Sequence, residues 1–278
     1  MKNRNVMIAG IAVIVIAIVW VGLLKKKEVS NKSNEVAVAS TTKSVSAHEM
    51  YKQAEELQKT GKPEEAKKLY QNIMTEHPDF EQIENVQTQV GALNIEQIFS
   101  KKMIEGKTTE YEIMPGDSLV KVAKKFKTTV PLLRRSNGLK GDTIRLGQKL
   151  RVWTGTFTIL VNKSQNTLML KDGNDVVKVY KVSTGKENST PVGIFKIVLK
   201  QENPVWFSKE GVFPPESPDN QLGSRWMGFN IESYGIHGTI APEKLGEQAT
   251  AGCVRMLNAD VEELYDIIPT GTEVTIVN

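Results

Sequence analysis

Of the 278 residues only one is a cysteine, Cys253. With no second thiol the chain can close no disulfide of its own, on either side of a membrane, and its stability must come from packing. A strong charge of either sign is also missing: 36 lysines and arginines against 32 aspartates and glutamates leave a net charge of +4. The lysines are spread and interleaved with glutamates, and that gives little reason to propose nucleic acid as a partner. No cysteine follows the most apolar stretch to carry a lipid, so a lipoprotein is not expected.

That stretch, VMIAGIAVIVIAIVWVGLL at residues 6–24, holds no charge. As a helix it would span about 28 Å, close to the hydrocarbon thickness of a bilayer. A cleavable signal peptide would carry a shorter apolar core and a small-residue site close behind it, whereas AVA at residues 37–39 comes a dozen residues too late. An uncleaved anchor over residues 1–27 is therefore expected. Lys2 and Arg4 on one side and Lys25, Lys26 and Lys27 on the other leave its orientation open.

The remaining chain divides by pattern into a multidomain α+β protein. Residues 28–46 are small, polar and aperiodic, as a flexible linker is. Over residues 47–105 apolar positions recur three and four apart, at Met50, Ala54 and Leu57 and again at Ala66, Leu69, Tyr70 and Ile73, with Gly61 and Pro63 marking a stop and a start. This predicts a helical hairpin, and a third helix from Phe80 could cover its exposed face. Residues 108–153 read as strand, helix, helix, strand: Asp117 and Ser118 cap the first helix after a Pro115-Gly116 turn, the second helix starts after Thr129, and QKLRVW alternates as a closing strand. Residues 154–278 turn to short alternating strands with an Asp172-Gly173 turn, a single late helix capped by Asn258, and a last strand.

The late loop IHGTIAPEKLGEQATAGCVRM sets Cys253 sixteen positions after His237. Sulfur chemistry needs the thiolate, which a histidine, a cation or backbone dipoles can favour. His237, between glycines, could take the thiol proton; Arg255 would share the face of Cys253; amides around Gly252 and Cys253 could hold an oxyanion. From the residues alone, a buried structural cysteine and a structural histidine remain the alternative. Arg225 and Trp226 could line a groove or be a buried aromatic beside a surface cation, and both stay outside the catalytic set.

Three resemblances sharpen this reading. Ala54, Ala66, Tyr70 and Pro78 sit at offsets similar to a tetratricopeptide repeat, which implies either a small spacer or a protein partner at the hairpin. PGDSL, NGL and LGQKL make residues 111–153 resemble a LysM domain, whose family binds N-acetylglucosamine units of peptidoglycan or chitin. STGKENSTPVGIF, SRWMGF and the Cys253 loop make the chain from Phe157 onward resemble the mostly-β, YkuD-like catalytic domain of L,D-transpeptidases. The last resemblance implies Cys253 as nucleophile, His237 as base, Gly252 in the oxyanion loop and Arg255 on the donor peptide, with no metal and no cofactor. Many members carry SHGC where this chain has Thr250, Ala251, Gly252 and Cys253. The implied activity is a peptidoglycan L,D-transpeptidase, anchored with its soluble domains outside the cytoplasm and partnered by stem peptides and glycan strands. An L,D-carboxypeptidase, an enzyme attaching proteins to the wall and a non-catalytic wall-binding scaffold are the alternatives.

Overall fold

The structure, a computed structural model, describes residues 46–278. The expected anchor at residues 1–27 and all of the linker but Ser46 lie outside the described residues. Among those described, no helix is long and apolar enough to cross a membrane.

Three helices come first: α1 (Ala47–Lys59), α2 (Pro63–Glu76) and α3 (Ile83–Phe99). Ser46 and Glu49 form a reciprocal capping box that starts α1. Pro63 opens α2, where a missing N–H costs nothing. Met50, Ala54, Ala66, Tyr70 and Ile73 bury one apolar cluster with Val86, Val90 and Leu93 of α3. The far end of α3 serves a different core, because Ile95 and Ile98 pack with the β-rich part of the chain.

The next unit is β1 (Thr108–Glu112), α4 (Leu119–Phe126), α5 (Val130–Asn137) and β2 (Lys149–Trp153), with β1 and β2 antiparallel. Ser118 accepts from the Lys121 N–H and Thr129 from the Leu132 N–H, so each short helix has a side-chain cap. Strand β2 departs from the predicted alternation: Leu150 through Trp153 are all buried. The reason is that both of its faces are covered. Leu150 and Val152 face α4 and α5, while Arg151 donates to the carbonyls of Gln97, Ile98 and Lys102 at the end of α3.

The remaining strands are β3 (Phe157–Asn162), β4 (Thr167–Asp172), β5 (Asp175–Lys181), β6 (Thr184–Gly185), β7 (Gly193–Glu202), β8 (Trp206–Ser208), β9 (Gly211–Phe213), β10 (Arg225–Phe229), β11 (Gly235–His237), β12 (Gln248–Thr250), β13 (Val254–Arg255) and β14 (Glu273–Val277). Eight form one sheet in the order β13-β11-β10-β7-β14-β3-β4-β5. The turn between β4 and β5 is one residue later than predicted, since Asp172 pairs with Asp175 and leaves Gly173 and Asn174 as the loop. Gly173 takes φ +60°, the left-handed region in which a side chain is disfavoured.

Helix α6 (Asn258–Ile267) covers one face of this sheet. Its N-cap is Leu257 and not the predicted Asn258, because Asn258 turns its amide toward neighbouring loops. Val261, Leu264 and Ile267 pack on Ile159, Leu168, Leu170 and Ile236, each buried side chain contributing about 1.5–3 kcal/mol. Leu132 of α5 and Trp153 of β2 enter the same core, and Arg135 reaches Asp266 of α6 at 2.8 Å. The strand-helix-helix-strand unit is thus packed onto the sheet domain.

Candidate active site

Strand β11 lies between β10 and β13. Its parallel pairing with β13 sets His237 opposite Arg255, and its antiparallel pairing with β10 sets Trp226 opposite His237. Partners in register project to one face of a sheet, so Trp226, His237 and Arg255 stand side by side. The Trp226 and His237 rings stack with centroids 6.0 Å apart and planes 29° apart. Arg225, one residue earlier, alternates to the opposite side and places its guanidinium 5.4 Å from the Tyr265 ring of α6.

Cys253 sits on the bend leading into β13 and is half-buried. Its thiol donates to the Ser233 carbonyl, just before β11, at 3.4 Å, rather than to His237. Burial pushes the thiol up from its ordinary pKa, against weaker opposing effects of the Gly235 amide and the Arg255 charge. The imidazole moves the other way. His237 is only 4% exposed, and burial followed by the charge of Arg255 pushes it down to about 4, with the carbonyls of Gly238 and Gln221 acting in opposition. Both groups therefore rest neutral near pH 7.

One ring nitrogen has a short contact to a backbone carbonyl. His237 Nδ1 lies 2.7 Å from the Gly238 carbonyl oxygen, which can only accept. The Gly238 bond thus favours the hydrogen on Nδ1 and the lone pair on Nε2, although the Gln221 carbonyl also lies against the ring.

The bend before the thiol is fastened by Thr250. Its hydroxyl accepts from the Gly252 N–H at 3.1 Å and donates to the Cys253 carbonyl at 2.6 Å. The Gly252 amide, which the sequence suggests for an oxyanion, is thereby already engaged. Gly252 itself is demanded by space and conformation: it has φ +139°, and a Cβ would come within 2.6 Å of Tyr234 Cε1. Arg255 is 8% exposed and its Nε has no hydrogen-bond partner, leaving a buried donor beside the sulfur. The four residues singled out from the sequence are thus gathered on β11, β13 and the bend between β12 and β13. Trp226, Thr250 and Asn258 join them without having been assigned there: Trp226 by cross-strand register, Asn258 through backbone groups distant in sequence, and Thr250 through the backbone of the bend two and three residues on.

Residues 156–276 match the family model for the L,D-transpeptidase catalytic domain, and residues 111–153 match that for the LysM domain. YkuD of Bacillus licheniformis, named for the same family, is 34% identical over 174 residues, which cover 60% of this chain and 97% of that protein. The chain belongs to the L,D-transpeptidase family. YqjB of Bacillus subtilis, also named for it, is 43% identical over 124 residues, covering 42% of this chain and 69% of the relative. Among solved structures, the catalytic domain of the E. faecium L,D-transpeptidase is 20% identical with a TM-score of 0.37, over 44% of this chain and 98% of that one. The sheet, α6 and the Cys253 bend form the transpeptidase domain; the β1-α4-α5-β2 unit is its LysM partner.

Proposed function

We propose that this L,D-transpeptidase crosslinks peptidoglycan stems by acyl transfer through Cys253, with His237 as base. The reading is carried by the convergence of a half-buried thiol, a neutral imidazole whose Nδ1 is held by the Gly238 carbonyl and an unpaired buried guanidinium at adjoining strands. Rotation of the Cys253 side chain releases the thiol from Ser233 toward His237; such hydrogen bonds often tighten only when substrate is bound. As sulfur attacks the carbonyl of the third residue of a tetrapeptide donor, its proton passes to His237 Nε2. The oxyanion forms at the Cys253 N–H, for which no acceptor is found among the described residues, while Arg255 offers its unpaired Nε–H to the donor peptide. Collapse breaks the amide bond; the imidazolium gives its proton to the leaving D-alanine amine, and a thioester remains. An amine of a second stem then attacks the thioester, His237 takes the amine proton, and that proton returns to the departing sulfur.

The LysM domain supports a wall substrate, since holding glycan raises the local concentration of stems without any new contact at the sulfur. On this reading residues 6–24 form an uncleaved anchor, the soluble domains stand outside the cytoplasm where the substrate is, and the tetratricopeptide-like helices carry a protein partner. Incubating the protein with a tetrapeptide muropeptide and weighing the products tests the chemistry. A crosslinked dimer with loss of D-alanine is expected, and Cys253→Ala should abolish it. A tripeptide alone would make water the acceptor. Absence of any product, with no acylation by a carbapenem, would leave the scaffold reading.

A further inference from the structure

The Gly238 carbonyl that meets His237 Nδ1 is itself held in place from behind. Gly238 C=O and Thr239 N–H are the two ends of one planar peptide group. The carbonyl end accepts from His237 Nδ1 at 2.7 Å, while the N–H end donates to Asn258 Oδ1 at 3.0 Å. The same oxygen accepts from the Ser224 N–H at 3.2 Å, and Asn258 Nδ2 donates to the Thr239 carbonyl at 2.9 Å. A single amide side chain thus joins the loop before β10 to the loop after β11. Two glycines make room for it. A Cβ at Gly238 would lie 2.1 Å from Asn258 Oδ1, and one at Gly223 would lie 2.3 Å from the same atom.

The ordinary reason for asparagine at a helix start does not apply here. Asn258 is the first residue of α6, its N-cap is Leu257, and no side chain caps the helix. We propose that Asn258 is a positioning residue for the reaction: by fixing the Gly238–Thr239 peptide it aims a carbonyl at Nδ1 and keeps Nε2 of His237 available as base. The proposal rests on His237 being that base. Hydrogen bonds in series polarise one another, so withdrawing Asn258 weakens the bond to Nδ1 as well as freeing the peptide to turn. The imidazole then loses its preference for the Nδ1–H form.

The test uses the full-length protein labelled with 15N-histidine, and His237→Gln identifies the signal of His237 among the three histidines. The charged group facing this imidazole is Arg255, with Cys253 and Glu243 acting in turn on Arg255. Because Asn258→Asp adds a carboxylate, tautomer populations are compared rather than titration midpoints. The wild type should have its neutral proton on Nδ1. Asn258→Ala should divide it between the two nitrogens and lower kcat about ten-fold, the scale of a compromised general base, with KM within about twofold. Asn258→Asp keeps an oxygen for the Thr239 N–H, so it should restore both the tautomer and most of kcat. A wild-type tautomer and kcat in Asn258→Ala would overturn the proposal, as would an Asn258→Asp protein with the proton on Nε2. The aspartate arm decides alone if the alanine variant does not fold. Failure of the wild type to turn over a tetrapeptide would count against the enzymatic reading, while the nitrogen spectra would still judge Asn258.

Discussion

His237 and Arg255 are register partners across the parallel β11–β13 pair, so an imidazole and a guanidinium, both buried, share one face of the sheet. Like charges at such range disfavour one another, and the histidine is the one able to give up its proton. The imidazole C–H resonance of His237 should therefore titrate with a midpoint of about 4, against an ordinary value of 6.5. Replacing Arg255 with Gln removes the repulsion but not the burial, so the midpoint should rise only part of the way. Proton NMR titration of the two proteins decides it; a wild-type midpoint near 6.5 would mean that the site is open to water.

The same shift links stability to acid. Between pH 6.5 and about 4 the unfolded chain takes up a proton at residue 237 that the native protein refuses. Native binding of fewer protons makes stability rise with pH across that window, so the contribution is complete above about 6.5 and declines as acid is added, by about 3 kcal/mol in all. Other groups titrate there too, and the informative quantity is the difference between wild type and His237→Gln. Urea unfolding from pH 4 to 7 should give the variant the shallower profile; parallel profiles would exclude this linkage.

Much of the fold is written in local signals. Ser118 and Thr129 cap helices as the sequence predicts, and the apolar periods of α1 and α2 bury Met50, Ala54, Ala66, Tyr70 and Ile73, with Leu57 and Leu69 partly covered. Those signals depend on neighbours a few residues away. The errors arise where a residue answers to something distant: β2 loses its alternation because Arg151 is covered by α3, and Asn258 leaves its cap to bind residues 224 and 239. In the site, thiol chemistry singles out Cys253, His237, Gly252 and Arg255 as a group, and β11, β13 and the bend before β13 gather them. Asn258 is not singled out, since it works by hydrogen-bonding backbone 19 and 34 residues away, and a sequence carries no mark of which distant backbone will be near; Thr250 bonds backbone only two and three residues on, a local turn that thiol chemistry does not point to.

Thr250 bridges the two peptide groups that shape the Cys253 bend, and its hydroxyl is the group responsible. Thr250→Val keeps the shape of the side chain and strips both hydrogen bonds. Leaving the buried Gly252 N–H without an acceptor costs about 1–3 kcal/mol. The variant should melt earlier and lose turnover by more than its loss of folded fraction, whereas Thr250→Ser should recover both. Equal turnover by the valine protein at a temperature where it is folded would show that the bend holds its form without this bridge.

Arg151 offers a way to separate wall attachment from chemistry. It is 5% exposed, and its guanidinium caps the end of α3 by donating to Ile98 at 2.9 Å, Lys102 at 2.7 Å and Gln97 at 3.3 Å. Through this residue the LysM strand β2 is tied to a helix whose Ile95 and Ile98 belong to the transpeptidase core. Methionine at 151 fills a similar length but leaves the buried Ile98 carbonyl without this donor, at about 1–3 kcal/mol where water does not reach it. The docking of the LysM unit should loosen first, because His237 and Arg255 lie on β11 and β13 and Cys253 on the bend before β13, none of which Arg151 touches. Turnover of a soluble tetrapeptide should then stay close to wild type, while crosslinking of intact sacculi falls because glycan is no longer held at a fixed position relative to the thiol. If both substrates suffer alike, the damage has reached the catalytic domain; if neither does, rigid docking of the LysM unit is not what presents the stem.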